Sequence, residues 1–193
     1  MRGSSLVHCG RYLFGIDPAF SSVSAAETAI LLELARNEHT LVEIGVFEGR
    51  TSKALRQVMH PNGTLWLIDP FPLGLIGFNW HYLIARQEIA SENNGFVGFI
   101  RKMSWDAAED WHIPYDFLFI DADHQYEAVK RDWQDWSRFA RSGAHIALHD
   151  SCCLATRCKP TDGPVRLVEE IKLKEGKFKL VHQVESLSVF RRL

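Results

Sequence analysis

Leu41-Val-Glu-Ile-Gly-Val-Phe-Glu-Gly-Arg-Thr-Ser52 is the stretch that decides the fold. Leu41, Val42 and Ile44 are apolar and β-prone, so the run reads as a buried strand, with Glu43 as its one internal charge. Gly45 and Gly49 bracket a turn, and Arg50, Thr51 and Ser52 supply polar groups where a helix begins. A glycine turn lets backbone N–H groups approach a ligand closely, because no Cβ stands in the way. The spacing Gly-x-x-x-Gly differs from the dinucleotide pattern Gly-x-Gly-x-x-Gly, which argues against a nicotinamide cofactor.

Outward from that stretch, strand and helix patterns alternate. Residues 64–70, 95–100, 115–121 and 143–150 read as further strands. Helical spacing marks 24–36, 51–58, 79–93, 104–111, 126–140 and 162–172, with Ser104 and Asp162 as N-cap residues. The runs 178–182 and 186–190 are short strands separated by a few residues, which predicts an antiparallel hairpin. Residues 1 to about 17 read as an arm or an early short element. Such alternation predicts an α/β fold with a parallel sheet covered by helices on both faces.

Composition narrows the function classes. The 193 residues, 46% of them hydrophobic, suit a single globular domain. A net charge of -2 gives no electrostatic reason to expect nucleic acid or an anionic membrane as partner. No apolar run approaches the ~20 residues needed to cross a bilayer, and the N-terminal residues lack the apolar core of a signal peptide. The expected location is therefore cytoplasmic, with a homo-oligomer left open. Cys9, Cys152, Cys153 and Cys158 do not form the paired clusters of a zinc ribbon and read as free thiols.

In parallel sheets of this kind, ligands bind beyond the carboxyl ends of the strands. Glu43, Asp69, Asp121 and Asp150 all fall at or near those ends. Asp69 lies about 20 residues past Gly49, where an acid is placed to accept hydrogen bonds from a ribose; a turn cap before Pro70 is the plainer alternative. Asp121-Ala-Asp-His124 and His149-Asp150 could converge on a divalent cation, with Asp123 or His124 as general base. Caps and packed histidines are the plainer readings there.

The blocks 42–52, 67–70, 119–126 and 143–150 together resemble class I S-adenosylmethionine-dependent methyltransferases. Within that family they are most similar to the small-molecule O-methyltransferase branch related to catechol and macrolide-sugar enzymes. The resemblance covers roughly residues 25 to 193, with 1–20 as an N-terminal arm. It implies a Rossmann-like three-layer sandwich, with a seven-stranded, mostly parallel sheet ending in an antiparallel hairpin. It also implies that Glu43, Gly45, Phe47, Gly49, Thr51 and Ser52 hold the methionine part of S-adenosylmethionine (SAM). Asp69 and Pro70 would then meet the ribose, and Ser104 and Trp105 the adenine, with Asp121 also facing the cofactor.

In metal-dependent relatives the positions of Asp121, His149 and Asp150 bind magnesium, and this chain carries His149 where they often carry Asp or Glu. The acid matching Asp123 is a base candidate in sugar-modifying relatives. The expected acceptor is a small molecule or sugar hydroxyl, bordered by residues 71–82 and the cysteine loop 151–162. Two other readings stand beside this one: a catalytically inactive SAM-binding module, and a nicotinamide-dependent oxidoreductase that lacks the required glycine spacing.

Overall fold

The protein was analysed as a computed structural model, which describes residues 5–74, 77–152, 154, 159, 161–173 and 176–193. Its elements run α1 (Ser5–Leu13), α2 (Ala25–Ala35), β1 (Thr40–Ile44), α3 (Arg50–Val58), β2 (Thr64–Ile68), α4 (Trp80–Ala90) and β3 (Phe96–Ile100). Then come α5 (Ser104–Asp110), β4 (Tyr115–Ile120), α6 (Tyr126–Ser137), β5 (Ala140–Leu148), α7 (Gly163–Leu173), β6 (Phe178–Val184) and β7 (Leu187–Arg192).

One seven-stranded sheet has the order β3-β2-β1-β4-β5-β7-β6. The first five strands are parallel; β7 pairs antiparallel with both β5 and β6. Alternation along each strand divides the core in two. Leu41, Leu67, Phe117 and Phe119 pack with Leu31 of α2, Leu55 of α3 and Ile89 of α4 on one face. Val42, Ile44, Leu118 and Ile146 pack with Ala108 of α5, Trp136 of α6 and Val168 of α7 on the other. This is the expected α/β sandwich of three layers. Among the described residues no helix is long and apolar enough to cross a membrane.

The chain leaves β1 toward β2 and β3, then returns to the other side of β1 with β4. That reversal opens a crevice at the carboxyl ends of β1 and β4, the place where open α/β sheets bind ligands.

Several boundaries differ from the sequence reading. Met103, not Ser104, occupies the cap position of α5, and Ser104 is its first helical residue; the serine hydroxyl donates instead to Asp132. β5 starts at Ala140, pairing with Tyr115 before a register shift, so α6 stops earlier than the pattern to residue 140 suggests. The N-terminal residues contain the helix α1. Cys9 and Cys152 are free and buried, whereas Cys153 and Cys158 lie outside the described residues.

Candidate cofactor and acceptor site

Two hollows meet at the crevice. One, of about 360 Å³, is bounded by Phe20 to Ser22, Glu43, Arg50, Thr51, His124 and Asp150. The other, of about 300 Å³, is bounded by Asp69, Pro70, Ser104, Trp105, Asp123 and Asp132. Gly45, Phe47, Asp121 and Ala122 line both. A ligand spanning the two would therefore cross over the glycine turn.

Gly45 makes the junction. Its φ is +88°, and a Cβ there would stand 2.1 Å from the backbone oxygen of Asp121. No side chain fits, because β1 and β4 approach this closely just where their ends must open. Gly49 is held in the same way, at φ +74° with a Cβ position 2.9 Å from Ala85 Cα. Phe47, Phe71 and Asp150 adopt positive φ without being glycine. Such backbone is costly, by about 1–3 kcal/mol each, and tends to gather at binding sites.

Glu43 is 1% exposed and borders the first hollow. Its Oε2 and the nearby Ser52 Oγ are buried without a well-formed hydrogen bond, although Ser52 lies close enough to pull the carboxyl's pKa down. Burial pushes the Glu43 carboxyl up to about 8; Asp121 and Asp69 push the same way, while Ser52 pulls against them. An orphaned buried carboxylate costs free energy unless a ligand satisfies it. A cationic group entering this hollow would do so.

Asp69 ties the turn together. Its Oδ2 accepts from the N–H groups of Val46 (3.0 Å) and Phe47 (3.3 Å), and its Oδ1 accepts from Phe71 N–H (2.8 Å). A carboxylate offers about four lone-pair directions, so one remains for a hydroxyl in the second hollow. Beside it, Arg131 lies 4.9 Å over the Trp105 ring. Burial pushes the Asp132 carboxyl up to about 6, against the pull of Ser104.

The acids of β4 and β5 meet two histidines. His124 Nε2 lies 3.8 Å from Asp121 and its Nδ1 3.4 Å from Asp150. Asp121 chiefly raises the His124 pKa, with Asp150 adding to it and burial opposing. Among the described residues, Asp121, His124 and Asp150 are the group whose candidate ligand atoms all lie within 4.8 Å of one another. His149 is 5% exposed and sits between carboxylates, with Nδ1 3.0 Å from Asp121 and Nε2 3.4 Å from Glu27. Burial alone would lower its pKa, but Asp121 and Glu27 outweigh that and hold it at about 10. Burial would likewise raise Asp121, yet His124 and His149 bring it down to about 2.

The first hollow is closed on its outer side by the N-terminal residues. Glu48, fully buried inside the glycine turn, accepts from Phe20 N–H (2.6 Å) and faces His8 and His81, each at 3.0 Å. Tyr12 donates to Glu88 of α4. Of the segment read as an arm, Phe20 borders the first hollow, and His8 stacks on it from behind.

Of the residues singled out in the sequence, those from β1, the glycine turn, β2 and β4 line one or both hollows, except Gly49 and Ser52, which border neither. Asp123 turns to the second hollow, with Oδ1 accepting from Gln125 N–H. Glu27, Glu48, Phe20 and Asp132 carry geometry that sequence reasoning did not assign to the site. Only Glu27 had a local signal, the Ser24-x-x-Glu27 capping box.

Residues 42–151 match the family described as Methyltransferase domain. An uncharacterized protein of Acanthamoeba polyphaga mimivirus is 28% identical over 120 residues, covering 60% of this chain and 52% of that protein. The chain thus aligns with about half the length of that relative. Among solved structures, the O-methyltransferase TomG from Streptomyces achromogenes, in complex with SAM, superposes with a TM-score of 0.69 at 17% identity, covering 100% of this chain and 91% of that one. The O-methyltransferase from Bacillus cereus, in complex with S-adenosylhomocysteine (SAH), does so at 0.69 and 19%, covering 100% and 92%. At these identities the structural likeness speaks for the fold.

Proposed function

The chain belongs to the methyltransferase domain family, and from that premise we propose that it is a SAM-dependent O-methyltransferase acting on a small-molecule or sugar hydroxyl. The observation that carries this reading is Glu43: a buried carboxylate oxygen without a partner, at the wall of a hollow that joins a second one over the glycine turn. The donor set suits the cofactor in both halves. Glu43 and Asp121 answer the ammonium of the methionine part, with Thr51 beside them. Asp69 keeps a lone pair for ribose, and Trp105 offers an apolar face for adenine.

When bound, SAM supplies a methyl group already activated on a sulfonium. The chain must then orient an acceptor for in-line attack and take its proton. His124 is the better placed of the two base candidates, since it borders the first hollow whereas Asp123 faces the second. The acceptor proton passes to His124, and Asp121 and Asp150 steady the imidazolium that results.

A divalent ion fits less well. Hard cations prefer oxygen ligands, and here Asp121 Oδ1 already faces His149 at 3.0 Å.

Calorimetric titration with SAH tests the reading. Wild-type protein should bind, Asp69→Ala should lose at least tenfold in affinity, and His124→Ala should bind normally while losing about 10²–10⁴-fold in methyl transfer. Absence of SAH binding by the wild-type protein would sink it.

A further inference from the structure

Glu48 borders neither hollow, yet it is fully buried where three parts of the chain meet. Its Oε2 accepts from Phe20 N–H (2.6 Å) and faces His8 Nε2 at 3.0 Å, while its Oε1 faces His81 Nδ1 at 3.0 Å. Each histidine in turn backs an aromatic ring. His8 lies flat on Phe20, with centroids 3.9 Å apart and planes 9° apart, and His81 leans on Phe47 at 4.6 Å. Both phenylalanines border the first hollow. His8 belongs to α1 and His81 to α4, so one carboxylate joins two helices to the glycine turn. The segment after α1 is tied to the same region at two more points. Arg50 donates to Ala19 O (3.4 Å), and the hydroxyls of Ser21 and Thr51 lie 3.3 Å apart. Phe47 is 42% exposed at φ +51°, so directional contacts rather than burial hold its ring. An apolar residue at position 48 would fill the space, but it would fix no direction and would strand the Phe20 N–H.

We propose that Glu48 is a positioning residue for the cofactor. Its carboxylate sets Phe20 through His8 and Phe47 through His81, and so holds the N-terminal segment closed over the methionine end of SAM. The proposal rests on the methyltransferase reading above, which puts that end between Glu43 and Thr51. Glu48, His8 and His81 border neither hollow; they act through the two rings. Untying the carboxylate lets the segment lift without altering any group that meets the cofactor. Escape of the bound ligand is then the property most affected, since changes around a bound ligand act chiefly on its dissociation rate.

The test is SAH dissociation from the full chain, followed by stopped-flow fluorescence beside calorimetric affinity and thermal melting. Glu48→Gln should release SAH about tenfold faster, the low end of what weakening a hydrogen bond to a charged acceptor costs. His8→Ala should speed release about threefold through loss of the ring behind Phe20, although no residue of α1 borders a hollow. Added to Glu48→Gln, it should change the rate by less than about twofold, because both act through one carboxylate. Tyr12→Phe removes the tie to Glu88 and loosens α1 without touching Glu48, and it should leave release unchanged. That control separates positioning from general loosening of the helix. If Glu48→Gln does not fold, His8→Ala against Tyr12→Phe decides the matter. Release as slow as wild type in Glu48→Gln or, failing that variant, in His8→Ala would overturn the proposal, and so would equal acceleration in Tyr12→Phe. Wild-type protein that gives no SAH heat overturns the cofactor reading and this proposal with it; wild-type binding with unchanged release in the variants overturns the proposal alone.

Discussion

Glu27 and Glu43 are two glutamates of nearly equal burial, 2% and 1% exposed, with opposite fates. Glu27 is surrounded by Ser24, Ser186 and His149. Burial would raise it, but those partners hold it down at about 2. Glu43 has an oxygen with no partner and is pushed up to about 8 by burial. Partnering, rather than depth, decides which buried acid keeps its charge. The difference separates a region finished by folding from one left open for a ligand.

Removing Glu27 tests the finished region and should have the largest effect. Glu27→Ala strips two N–H groups and the Ser186 hydroxyl of their acceptor, and leaves the Nε2 end of the buried His149 ring without its carboxylate. Breaking a buried charged network in this way costs about 3–5 kcal/mol, which urea denaturation would measure. A loss below about 1 kcal/mol would mean that Glu27 is no more than a surface-like cap and would break the comparison.

Glu43→Gln tests the open region and should leave the fold intact, since the amide keeps the shape and removes an orphaned acid. SAH affinity should fall roughly ten- to a hundredfold, in line with the ~1.5–3 kcal/mol of a hydrogen bond to a charged group. Calorimetry at neutral pH measures it. Unchanged affinity would show that the unpaired oxygen does not meet the cofactor.

The two glutamates also differ in how far the sequence revealed them. Glu43 stands out because it interrupts an apolar strand, and the strand ends were legible because β1 and β4 are largely apolar and β5 is apolar over its last three residues, Ile146 to Leu148. Glu27 looks like an ordinary helix-former in a capping box. Its other partners, His149 and Ser186, lie 122 and 159 residues away, and nothing local announces them. The same holds for α1: its short pattern is weak, and it is fixed by His8 on Glu48 and Tyr12 on Glu88. Ser104 reads as a cap because a serine at a helix start has that preference, whereas in the structure buried Asp132 takes its hydroxyl. Placement at strand ends could be read from periodicity; pairing across the sheet could not.

The slope of stability with pH is a further test, and its sign discriminates between the regions. Glu43 has a folded pKa of about 8 against an ordinary 4.5, so between these values the folded state binds more protons than the unfolded one. Stability therefore falls as pH rises through that window, by up to about 1.4 kcal/mol per pH unit. Glu27 and Asp121, held near 2, act in the other direction: their contribution is complete above their ordinary values and is lost only as pH falls toward 2. His149, held at about 10 against 6.5, adds a second decline above 6.5, and Asp132 one up to about 6. The difference between wild-type protein and Glu43→Gln cancels these shared contributions. Thermal denaturation of both from pH 5 to 8 should show the wild type losing ground steadily against the variant. Saturating SAH should flatten that difference, because a cationic partner at Glu43 lets the acid ionise without penalty. A difference independent of pH, or one that SAH leaves unchanged, would place Glu43 with the satisfied acids and remove the contrast between the two regions.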